Sequence, residues 1–64
     1  MGMKKQMDHV NYPKLLKRKS DEALRFIIKD ATEAMNAMPD GENAGYYADE
    51  VNYAAMELNR RKKK

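Results

Sequence analysis

Cysteine and tryptophan are absent from the 64 residues, and histidine, serine and phenylalanine each occur once. Without cysteine there is neither a disulfide framework nor a thiolate metal site to supplement a small core. Leu, Ile, Val and Phe together number only nine, while eight Ala, six Met and four Tyr raise the apolar share to 42%. Such a composition favours closely approaching Ala-rich helices over a broad β core. A chain this short buries only about 60% of its unfolded surface, so a single marginally stable domain is expected, with a second chain as the remaining source of burial. No apolar run reaches the length of a membrane span or of a signal peptide. A cytoplasmic protein that does not enter a membrane is therefore expected. Gly2 after Met1 begins like a myristoylation signal, but Gln6 stands where Ser or Thr is required.

The residues that carry chemistry are just as sparse. His9 sits beside Asp8 with no second imidazole to share a metal. Asp49 and Glu50 are adjacent, so on a helix their side chains diverge by about 100° and do not converge as an acid/base pair. No glycine loop of the phosphate-cradling kind occurs. The stretch DGENAGYYADEV has a glycine at the sixth place of a calcium loop. However, Ala44 takes the fifth, ligating place and Val51 the twelfth, where a bidentate Glu belongs. The expectation is a protein that is not an enzyme, with no catalytic residue, no cofactor and no metal.

What the chain does contain is periodicity. Apolar residues at 24, 27, 28, 31, 34, 35 and 38 are matched by a second set at 44, 47, 48, 51, 54, 55 and 58, with identical spacings. Both follow the stripe of an amphipathic helix and neither alternates like a strand. Ser20 before Asp21 and Glu22 is a helix start, with a hydroxyl cap and carboxylates near the positive end of the dipole. The segment MPDGEN stops and turns the chain, and Asn43 is placed to cap the next helix. Gly45 weakens the start of that helix, which predicts that it begins a residue or two later. The fold class expected is all-α: an antiparallel hairpin of roughly 21–38 and 44–60. Ahead of it, NYPKLLKRK reads as a short helical arm capped by Asn11, with Pro13 in its first turn. Leu15 and Leu16 are free to fold back, and Phe26, off the main stripe, needs cover that Tyr12, Leu15 or Leu16 can give. Residues 1–10 are read as a flexible arm, 11–60 as the domain and 61–64 as a basic tail. Dimerisation into a helical bundle is expected, because the Ala-rich stripes bury little area.

The net charge of +3 conceals segregation. Residues 1–20 sum to +5, residues 21–59 to −7 and residues 60–64 to +5. A hairpin brings the two basic clusters to one end and leaves Asp40 and Glu42 at the other. This segregation has three readings, one of them an antiparallel pair of copies that sets each basic end beside the other's acidic turn; the other two concern the closing run NRRKKK. As a helix end, its cations complement the dipole, and Glu57 pairs with Arg60 and Arg61 at helical spacing. As a phosphate grip, it would join Arg60, Arg61, Lys62, Lys63 and Lys64 to Lys14, Lys17, Arg18 and Lys19. No aromatic is interleaved with these cations. A helix-turn-helix reading of YPKLLKRKSDEALRF fails because its second helix would begin with acidic residues.

A further stripe on the second helix sets Tyr46, Tyr53 and Arg60 seven residues apart, with Met56 nearby. Amphipathic aromatics, Arg and adaptable Met are favoured in protein interfaces. The plainer alternative is that the two tyrosines cover the N-terminal arm. The stretches SDEALRFIIKDATEAM and AGYYADEVNYAAMELNRR resemble the short uncharacterised proteins of tailed bacteriophages. That resemblance covers about residues 11–61 and implies a small accessory protein made in a bacterial cytoplasm, without assigning it an activity. The expected function is protein–protein interaction that modulates a host or phage protein, with nucleic-acid binding as the alternative.

Overall fold

A computed structural model describes residues 6–62 and contains three helices: α1 (Asn11–Leu16), α2 (Asp21–Ala37) and α3 (Ala44–Lys62). The hairpin expected from periodicity is present, with α2 packed along α3 and α1 laid against α3. Ser20 caps α2 as its chemistry requires, its hydroxyl accepting from the Ala23 amide at 3.1 Å. At the other end the Met38 amide still donates to the Ala34 carbonyl, and Pro39 then ends the helix. The turn closes on itself through Gly41 N–H to the Met38 carbonyl at 3.0 Å. A Cβ on Gly41 would lie 3.2 Å from that same oxygen, which explains a glycine there.

Three local expectations are corrected. Helix α3 begins at Ala44, with the Tyr47 amide bonded to the Asn43 carbonyl, so it starts ahead of Gly45 instead of after it. Packing of the later turns outweighs one unfavourable residue. Nothing lies within 4 Å of a Cβ built on Gly45, and its φ is not positive. Gly45→Ala is therefore expected to stabilise the fold by about 0.5–1 kcal/mol, measured as a higher thermal midpoint. Asn11 does not cap α1 but is its first residue. Val10 precedes it without a side-chain cap, and Asp8 holds the entry instead: its carboxylate accepts from the Val10 amide (3.0 Å), the Asn11 amide (2.9 Å) and the Asn11 side chain (2.8 Å). Phe26 is not covered by the arm: it remains 67% exposed, because α1 packs towards α3.

The core is small. Leu16, Leu24 and Ala54 are fully buried and meet one another, with Tyr12, Ile27, Ile28, Tyr53 and Leu58 packed around them. Leu16 thus folds back as its position suggests, whereas Leu15 stays half exposed. Met38, the last member of the α2 stripe, is 68% exposed, because the turn carries it beyond the end of the packed region. One buried residue was not anticipated as such: Glu57 is only 7% exposed.

Candidate functional site

Glu57 tolerates burial because two guanidiniums reach it. Arg60 donates twice, at 2.6 and 3.2 Å, and Arg61 once, at 2.9 Å. Arg61 then continues across the fold. Its Nη1 pairs with Asp21 at the start of α2, and its Nη2 approaches the carbonyls of Leu16 (3.3 Å), Lys17 (3.4 Å) and Lys19 (2.8 Å). One planar cation therefore joins the end of α1, the start of α2 and the end of α3, covering carbonyls of the segment that links α1 to α2. This answers half of the question raised by NRRKKK. The helix runs through Lys62, Arg61 is committed to the fold, and Lys63 and Lys64 lie outside the described residues.

The arm settles over the tyrosine stripe. Tyr12 donates to Glu50 at 3.2 Å and meets Tyr53 edge-on at 6.1 Å between ring centres. His9 Nδ1 and the Tyr53 hydroxyl share a hydrogen bond at 2.7 Å. This contact divides the residues expected to form one protein-facing surface. Tyr46, stacked edge-on with Tyr47, lines a recess of about 510 Å³ with Met7, Tyr12, Leu15 and Arg18. Tyr53, Met56 and Arg60 line a different opening, a groove of about 350 Å³ between α1 and α3, with Pro13, Lys17 and Glu57. Three of the four residues stay together. Met56 is 55% exposed, and Lys17 and Arg60 place charge beside it. The contribution of Pro13 and Lys17 was hidden in the sequence, because nothing in their spacing ties them to α3.

The remaining basic residues sort by partner. Lys14, Lys17, Arg18 and Lys62 are exposed, and none of them makes an ion pair among the described residues. Lys19 is half-buried, with its carbonyl held by Arg61. No group of three or more His, Asp or Glu side chains suited to a metal occurs among the described residues, and no described helix is long and apolar enough to cross a membrane.

Two carboxylates and one phenol set the expected pH response. The Arg60 hydrogen bonds, seconded by Arg61, hold the Glu57 carboxyl below the usual range against the opposing effect of burial. The Asn11 backbone amide, then its side chain and the Val10 amide, do the same for Asp8. Burial, with the nearby Glu50 carboxylate, pushes the Tyr12 phenol well above its ordinary value. Lowered carboxyls bind fewer protons when folded, so their stabilisation is complete above about pH 5 and is lost as pH falls through the folded values. A raised phenol acts oppositely, and its contribution fades above about pH 10. Thermal midpoints measured across pH should form a plateau between these limits, and Glu57→Gln should flatten the acid limb.

The chain matches no family model, no curated protein and no solved structure.

Proposed function

We propose that this chain is a non-enzymatic binding protein that acts as a homodimer by protein–protein contact. The groove between α1 and α3 is the contact surface. The observation that carries this reading is the chemistry of that groove, where Pro13, Tyr53 and a half-exposed Met56 form an apolar floor beside the cations Lys17 and Arg60. Interfaces combine such an adaptable apolar centre with an Arg-bearing rim. The resemblance to short tailed-phage proteins points to a host or phage protein in a bacterial cytoplasm as the target of the assembled dimer. A photo-crosslinking residue at position 56, with the same residue at the exposed position 33 as control, tests the assignment. Protein adducts specific to position 56 support it, and equal labelling at both positions would sink it.

A second reading rests on Lys14, Lys17, Arg18 and Lys62, which stand unpaired at one end of the hairpin. Cations so placed are suited to phosphate, and binding to duplex DNA through them would weaken steeply with salt. Removing the C-terminal run does not test this cleanly, because it also removes Arg61. Lys14→Gln/Lys17→Gln/Arg18→Gln leaves the Arg61 contacts in place. Salt-steep DNA binding at physiological salt that this variant loses would favour the second reading.

A further inference from the structure

We infer that the groove between α1 and α3 is filled by the α2–α3 turn of a second copy of this chain, reciprocally, in an antiparallel dimer. The inference rests on reading the groove as a protein-contact surface and adds the identity of its occupant. The turn has the complementary chemistry. Met38 projects there with 68% of its surface exposed, followed by the exposed carboxylates Asp40 and Glu42, which form no ion pair among the described residues. The groove offers what that segment lacks: an apolar floor at Tyr53, Met56 and Pro13, with the unpaired cation Lys17 at its edge beside the Arg60–Glu57 pair. The carboxylate inside the groove, Glu57, is paired with Arg60 and Arg61, and with Arg61 shared by Asp21 the cluster has no net charge to oppose an acidic visitor.

The hairpin supplies the geometry. Its turn lies at one end and the groove at the other, so an antiparallel pair lays each turn over the other's groove. Because every chain contributes both halves, the contact is made twice about a two-fold axis and closes at two copies. The two exposed methionines, one from each half, become buried. Among the described residues, a single copy buries only two leucines and two alanines as apolar core, which leaves association a large share of the total burial.

The test is a charge exchange between two variants of the full chain, with mass read by light scattering across a dilution series. The wild type should show twice the 7.4 kDa chain mass. Lys17→Glu alone and Asp40→Lys/Glu42→Lys alone should each lose the dimer while keeping the helical circular dichroism of the wild type. Mixed in equal amounts they should form it again, since one contact then pairs the two exchanged surfaces and the other pairs two native ones. A wild type that stays monomeric overturns the inference, as does either variant still dimerising alone or a mixture that stays monomeric. Crosslinks from position 56 to other proteins, in a chain that is monomeric, would leave the groove as a protein-contact surface and remove only the second copy as its occupant.

Discussion

Leu24→Ala is expected to leave the chain largely unfolded at room temperature. Leu24 is completely buried, at the point where α1, α2 and α3 meet, in contact with Leu16 and Ala54. Truncating a fully buried leucine removes about 2–5 kcal/mol, the sum of lost transfer energy and an unfilled cavity. Cores of this size supply only about 3–5 kcal/mol in all, so the loss is comparable to the whole stability. Relaxation does not fill the space easily, since the nearest buried neighbours include an alanine on the facing helix. Thermal unfolding followed by circular dichroism should show the cooperative transition moved to low temperature or missing. Phe26→Ala provides the comparison. Phe26 is larger and lies only two residues away, but it is 67% exposed, and its removal should change stability by no more than about 0.5 kcal/mol. A Leu24→Ala protein that melts like the wild type would mean that the core is not where the three helices meet.

The contrast between those two residues shows how far the sequence reaches. The period of the two apolar stripes defines α2, α3 and the faces they turn towards each other, and Ser20 and Pro39 mark the limits of α2, because these signals are local and repeat over several turns. The docking of α1 is legible only in part. Leu15 and Leu16 are both candidates for folding back, and adjacency gives no means of choosing between them. The choice follows from the direction of approach: α1 comes down on α3, where Tyr12 finds Glu50 and Tyr53, and that approach buries Leu16 and leaves Phe26 bare. The tyrosine stripe illustrates the same limit. Seven-residue spacing correctly sets Tyr46, Tyr53 and Arg60 along one side of a helix, yet the arm crosses between the tyrosines and assigns them to different openings. Long-range partners of single polar side chains leave no periodic trace at all. The three hydrogen bonds of Asp8 have no signature in its spacing, and Arg61 reads as one cation among five.

Arg61→Ala should detach α1 while leaving the α2–α3 hairpin formed. The guanidinium contacts two carboxylates and three backbone carbonyls, and its Asp21 and carbonyl contacts span more than 39 residues of sequence. Removing it leaves Glu57 with Arg60 alone and exposes the carbonyl end of α1 to water. The six-residue α1 is too short to persist without tertiary contacts. Hydrogen exchange should therefore show the amides of α1 losing protection selectively, with a lower thermal midpoint for the whole chain. Arg61→Lys should restore only part of the effect. A lysine carries the charge but not the planar fork, and an ammonium able to reach one carboxylate cannot also cover carbonyls on the far side of the turn. Arg60→Ala gives the scale for a cation at the same helix end: Arg60 is 62% exposed and touches only Glu57 in these contacts, so its loss should be far milder. If the two alanine variants behave alike, Arg61 is one more member of a solvated basic end. If only Arg61→Ala frees α1, the basic run has a divided role, in which its second arginine fastens the fold and its neighbours remain available to a partner.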